Sequence, residues 1–226
     1  MKNKKRAIHK DQKQERWVQI LDTAFALFQQ KPYEQISMDQ LASKMRLAKG
    51  TLYLYFHGKE DLFLALKLRE YEKWFHEINK NIQRDLLTTP EDQRTKHFIS
   101  LIIQTLKQRT DMIRLIASLH HILERNIEID TIVNFHRTLG GYLLKTGDLL
   151  ESYLPYLNKG QGLKLLMQIK AMAIGMSHVV EPTPFFKKAF KTEEASLSVF
   201  QMNFTEELSR MMSILLKGYI NQSHQN

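Results

Sequence analysis

Cysteine is absent from the 226-residue chain, which excludes disulfides and thiolate metal sites and suits a reducing cytoplasm. No uninterrupted apolar run approaches the ~20 residues that span a bilayer. The basic start, Met1 to Arg16, has no apolar segment behind it, so no signal peptide is expected and the protein is expected to be cytoplasmic. Strand signals, hairpin turns and internal repeats are also missing, which points to an all-α fold of about nine helices. The chain has no phosphate-cradling glycine loop, no Gly-x-Ser-x-Gly elbow and no paired catalytic carboxylates, so neither an enzyme nor a cofactor is expected. His120-His121 with Glu124 offers two ligands on one helix face but no His-Glu-x-x-His order, so no metal is expected either.

Positive charge, by contrast, is plentiful and unevenly placed. The formal net charge is +9. Residues 1 to 60 hold twelve Lys/Arg against six Asp/Glu, a net of +6, and the remaining residues hold 21 against 18, a net of +3. Charge gathered in one segment steers a protein toward a polyanion. Residues 1 to 12 are too polar and basic to pack and read as a mobile arm, free to reach into a minor groove, to follow phosphates or to do nothing.

The organising stretch runs from Ser37 to Lys59. Ser37 and Gln40 form a capping box, with Ile36 and Leu41 as its hydrophobic staple, so a short helix starts at Met38. A second helix is expected from Lys49 to about Tyr55, with Leu52 and Phe56 as core anchors. Two short helices and a tight turn make a helix-turn-helix, about residues 37 to 56, whose second helix can enter a major groove. Gly50 and Lys49 are poor choices near a helix start unless an anion lies there, because glycine allows close approach and free amides point at phosphate.

Lys49-Gly50-Thr51-Leu52-Tyr53-Leu54-Tyr55-Phe56, followed by Lys59-Glu60-Asp61-Leu62, closely resembles the signature of TetR-family transcriptional regulators. The resemblance extends upstream to Ile20-Leu21-Asp22-Thr23-Ala24 and Leu27-Phe28, covering about residues 14 to 75. Pro32, Arg46 and Ala48 depart from the pattern, standing for a usual Gly, a usual Gly and a usual Ser or Thr cap. The resemblance implies a DNA-binding domain at 13–74 and an effector-binding and dimerisation domain at 75–226. It implies DNA contacts from Ser37, Met38, Ala48, Lys49, Gly50, Thr51, Tyr53, Leu54, Tyr55 and Lys59, with Lys44 and His57 flanking. Lys49, Tyr55 and Lys59 would then hold phosphate, and Thr51 and Tyr53 would lie closest to base edges.

Beyond the motif, helical spacing predicts helix 4 from Lys59 to about Leu87, and further helices at about 91–108, 112–126, 130–154, 160–180 and 203–220. Residues 185–200 read as a mixed loop or short helix. Gly140-Gly141 inside a helix suggests a kink or a very close contact. Residues 171–180 are apolar nearly all round, and the last helix has one broad apolar stripe, which together suggest a two-chain interface. Its expected members are Ala171, Ile174, Gly175, His178, Leu208, Met211, Met212 and Leu215. The resemblance implies a homodimer joined by the last two long helices, and an effector cavity among helices 4 to 7 roofed by helix 8. Trp74, Phe75, Ile78, Ile102, Leu106, Ile116, His120, Phe135, Leu139, Tyr142, Met172 and Met176 are its candidates, for a small apolar or amphipathic effector. The expected partners are an operator in double-stranded DNA, a second copy of the chain and that effector. The expected activity is a homodimeric repressor released from a near-palindromic operator. The alternative is a DNA-binding regulator without a small-molecule effector, gated by a protein partner.

Overall fold

The computed structural model describes residues 2–118, 127–180 and 202–224, with side chains from residue 11 onward. Among the described residues there are nine α-helices and no strands. The helices are α1 (Lys2–Gln30), α2 (Met38–Lys44), α3 (Lys49–Tyr53), α4 (Lys59–Thr88), α5 (Glu91–Lys107), α6 (Thr110–Ser118), α7 (Ile129–Tyr153), α8 (Gln161–Val180) and α9 (Phe204–Ser223). The expectation of an all-α fold is met. Residues 185–200, together with His120, His121 and Glu124, lie outside the described residues.

Two compact units share these helices. One comprises residues 1–70 and 118–136, the other residues 71–117 and 137–226. In the first unit α1 stops where Pro32 forbids further helix, and Tyr33–Gln35 forms one 3₁₀ turn before α2. Ile20, Leu21, Ala24 and Phe28 of α1 are buried with Leu41, Leu52, Phe56, Leu62 and Phe63. The Phe63 ring meets Phe28 at 6.1 Å and Tyr33 at 4.9 Å, both edge-on, the arrangement that aromatic quadrupoles favour. Burying side chains of this size contributes roughly 1.5–3 kcal/mol each, enough to hold α2 and α3 although both are too short to be stable alone.

Residues 2 to 12, read from composition as an arm, are helical: α1 begins at Lys2. The segment has no Gly or Pro and is mostly Lys, Arg, Ala and Gln, which are good helix formers, so nothing interrupts the turn already nucleated on the core.

In the second unit α9 packs on α5 and α8. Its core includes Phe98, Ile102, Leu150, Leu154, Leu165, Ile169, Leu208, Met212 and Leu216. The close contact expected at Gly140-Gly141 is absent, since a Cβ at either would meet nothing within 4 Å. The close approach lies instead between Gly147 of α7 and Gly162 of α8: a Cβ on Gly147 would stand 2.8 Å from the Leu163 nitrogen, and one on Gly162 would overlap the Gly147 carbonyl. Glu151 reaches across to accept the Gly162 amide at 2.9 Å. α8 has the length and hydropathy of a membrane-crossing helix, but Leu165, Leu166, Ile169 and Ala173 of it are spent on the core of this unit.

Candidate nucleic-acid interface

The helix-turn-helix is built from its caps. The Ser37 hydroxyl accepts the Gln40 amide at 3.2 Å, and the Gln40 side chain accepts the Ser37 amide at the same distance, closing the capping box. Gln40 also accepts from Lys31 at 2.7 Å. At the other end of α2, Arg46 donates its amide to Ser43 and Leu47 donates to Ala42, the paired bonds of a Schellman turn. That turn puts Arg46 at φ 54°, the left-handed region where the family resemblance leads one to expect glycine. Ala48 caps α3 with no side-chain hydrogen bond, so the α3 start keeps free amides.

The exposed surface of this unit follows from that geometry. Ser37, Lys44, Ala48, Lys49, Gly50, Tyr53, Leu54 and His57 are exposed, while Thr51, Tyr55 and Lys59 are half-buried. Leu52 and Phe56 are buried, as their spacing required. Tyr53 is 43% and Leu54 75% exposed, so both present apolar surface outward at the end of α3. A Cβ on Gly50 would meet nothing within 4 Å beyond its own helix, leaving room for a backbone to approach on that side.

Two candidates are placed differently from expectation. The Met38 side chain is only 6% exposed, because the first turn of α2 must plug the core beneath its cap. Its thioether is therefore turned away from the surface on which Ser37 and Lys49 are exposed. Lys59 is folded inward: its ammonium donates to the Tyr33 carbonyl at 3.1 Å and stands 3.9 Å from the Tyr33 ring centroid. Burial lowers its pKa from the ordinary lysine value, and Glu60 and Glu34 work against that shift. Tyr33 itself is raised well above the ordinary phenol value, first by burial and then by Glu60, to which its hydroxyl donates at 3.1 Å. Lys49 pairs with Asp39 at 2.8 Å, and this partner raises its pKa. Both lysines stand at the starts of α3 and α4, each engaged with a partner within the protein.

The effector candidates are gathered in part. Trp74, Phe75, Ile78, Ile102, Leu106, Ile116 and Leu139 are all buried in the second unit. Trp74 donates its indole N–H to Thr105 at 3.1 Å, and Phe75 stacks with Tyr142 at 6.1 Å. Met172 and Met176 are half-buried on α8. Phe135 belongs to the first unit, where the Lys67 ammonium lies over its ring. A separate cleft of about 440 Å³ opens between α5, α6, α8 and the start of α9, lined by Lys107, Ile113, Ser177, Val180, Met202 and Phe204 among others. None of the sequence candidates lines it, because it forms between helix ends that periodicity cannot bring together.

Of the expected two-chain face, Ala171, Gly175 and His178 are exposed and Ile174, Met211 and Leu215 are half-buried. Leu208 and Met212 are corrections: both are 0% exposed within the single chain and face its own core. The apolar positions left open are Val179 (56%) and Ile214 (66%), beside Gly175 and Gly218, around which nothing lies within 4 Å.

Comparison with known proteins covers nearly all of the chain. The family described as "Bacterial regulatory proteins, tetR family" matches residues 20–66, and "Tetracyclin repressor-like, C-terminal domain" matches residues 68–223. The uncharacterised transcriptional regulator YerO of Bacillus subtilis is 26% identical over 86% of this chain and 64% of its own length. The fatty acid metabolism regulator protein of the same organism is 27% identical over 52% of this chain and 66% of its own length. So the chain spans just under two-thirds of these relatives. Two solved structures share the fold at low identity. The fatty acid degradation regulator FadR of Bacillus halodurans aligns with a TM-score of 0.52 at 18% identity, covering 87% of this chain and 97% of its own. FadR of Bacillus subtilis, solved in complex with stearoyl-CoA, gives 0.51 at 17% identity with the same coverage.

Proposed function

The chain belongs to the TetR family of bacterial transcriptional regulators, and from that premise we propose that it works as a homodimeric repressor released from a near-palindromic operator by an amphipathic effector. The observation that carries the DNA half is the capped α2–α3 unit with its free α3 amides and the exposed Tyr53-Leu54 pair. An uncapped helix start is an anion site in waiting, and phosphate contacts fix register while side chains such as Thr51 and Tyr53 read base edges. The open apolar strip of Val179, Gly175, Ile214 and Gly218 on the last two helices supports dimerisation through a four-helix bundle.

The effector half rests on relatives. One is named as a fatty acid metabolism regulator, and one neighbour of the same fold holds stearoyl-CoA. A long-chain acyl thioester is the class this reading favours, and the buried apolar set around Trp74 and Phe75 in the second unit suits its chain. Continuity of α4 from Lys59 to Thr88 supports a lever that carries a change at its second half to its first. An effector that prefers one setting of that lever alters the spacing of two recognition helices and weakens simultaneous contact with both half-sites. The rival reading, gating by a protein partner, keeps the DNA half unchanged.

The test is fluorescence anisotropy of the full chain against genomic fragments. Wild type is expected to select one palindromic fragment, Tyr53→Ala to lose at least tenfold affinity for it, and stearoyl-CoA to release it. Equal binding to all fragments removes the operator reading. Selective binding that no acyl thioester disturbs removes the effector class and favours the rival.

A further inference from the structure

α1 is longer than its core requires. Its first buried residue is Ile20, yet the helix begins at Lys2 and residues 11 to 15 are all exposed. At 1.5 Å per residue, residues 2 to 13 make an overhang of about 18 Å. Among the described side chains, those of residues 11 to 15 give the overhang no buried anchor.

The charge on that overhang is sorted by face. At 3.6 residues per turn, Lys2, Lys5, Arg6, Lys10, Lys13 and Arg16 fall within an arc of about 140°. Asp11, Glu15 and Lys4 fall on the other side of the helix. The basic arc overlaps most of the arc that carries Ile20, Leu21, Ala24, Leu27 and Phe28 further along. One side of α1 is thus apolar where it meets the core and basic where it runs past it. Lys13 fixes where that side points: its ammonium stands 5.9 Å from the ring centroid of Tyr55, just after α3. Gln12, Lys13, Glu15, Arg16 and Gln19 form a groove with Leu54 and Tyr55, so the overhang leaves the unit from beside the recognition surface.

We propose that residues 2 to 16 of α1 are a rigid basic clamp that lies along the DNA phosphates flanking the half-site held by α3. The proposal rests on the DNA-binding reading. A helical stripe matches a polyanion that carries one charge per about 1.7 Å of duplex axis. An anionic lipid surface is the poorer fit, because the face opposite the stripe carries Asp11 and Glu15 rather than a broad apolar band. Because phosphates carry no sequence information, the clamp adds affinity and salt dependence without changing operator choice.

The experiment measures binding of the full chain to a random-sequence duplex, to its preferred fragment and to phosphatidylserine vesicles across a salt series, for four proteins: wild type, a deletion of residues 2–12, Ala7→Pro and Lys4→Gln. Each phosphate neutralised contributes about 0.9 to the slope of log affinity against log salt. The deletion removes Lys2, Lys5, Arg6 and Lys10 from the stripe, so the slope should fall by about 3 to 4 while the preference for the fragment is kept. Ala7→Pro retains every charge but breaks the helix, and it should lose most of the same slope. Lys4→Gln, off the stripe, should change the slope by less than about 0.5. An unchanged slope in the deletion overturns the clamp and leaves the regulator reading standing. Ala7→Pro matching wild type while the deletion falls overturns the rigid helix in favour of a flexible tail. A deletion that loses only phosphatidylserine-vesicle binding overturns the DNA assignment of the stripe. Wild type without salt-dependent affinity for any duplex sinks the DNA-binding reading itself.

Discussion

Arg46 is held at φ 54° by the Schellman turn that ends α2. A side chain there costs roughly 1–2 kcal/mol relative to glycine, which reaches the left-handed region without a Cβ penalty. Arg46→Gly should therefore raise the unfolding free energy by about 1 kcal/mol, read from the urea midpoint at constant m-value. It should also lower DNA affinity if the exposed guanidinium contributes charge to the interface, so stability and binding would move in opposite directions. Single residues also mark where sequence reading succeeded and where it did not. Ser37, Gln40, Leu52 and Phe56 were legible because caps and anchors are fixed by spacing along one helix. Lys59 was not, because its bond to the Tyr33 carbonyl joins residues 26 apart and depends on how the 3₁₀ turn folds back on α4.

At the scale of elements, glycine means opposite things in the middle of α7 and where α7 meets α8. Gly140 and Gly141 have open space around them, so Gly141→Ala should stabilise the helix by roughly 0.5–1 kcal/mol through backbone entropy alone. Gly162→Ala should do the reverse. Its Cβ would overlap the Gly147 carbonyl, and since the obstacle is backbone, α7 and α8 must part and core contacts around Leu165 must loosen. A loss of at least about 2–3 kcal/mol is expected, within the range for overpacked cores. Thermal unfolding of the two variants beside wild type separates these outcomes. In the sequence Gly140-Gly141 stood out and Gly147 and Gly162 did not. Only the crossing of α7 and α8 distinguishes a tolerated glycine from a required one. The long α1 is the same lesson in another form: composition marked its first residues as basic, but helix propagation from a packed core carried the helix back to Lys2.

For the whole molecule, the open apolar strip predicts assembly. Ile214→Glu places a charge on a face that the single chain leaves exposed, so the fold should survive with its helical circular dichroism unchanged. Light scattering should then report a monomer where wild type is a dimer, and operator affinity should fall by at least 100-fold because one half-site is lost. Met212→Glu, aimed at a residue buried within the chain, should instead unfold the second unit. A variant at Ile214 that stays dimeric would move the interface elsewhere on the surface.

The sequence by itself determined the all-α class, the helix boundaries set by proline and caps, and the identity of the α2–α3 unit, since all of these follow from residues a few positions apart. It also placed the excess charge. Tertiary structure decided which face of each helix is spent on the chain's own core. It turned Met38, Leu208 and Met212 inward, left Val179 and Ile214 outward, parked Lys59 on Tyr33, and aligned the basic side of α1 with the recognition surface. Those outcomes depend on how helices cross, and periodicity along one helix carries no information about the helix it will meet.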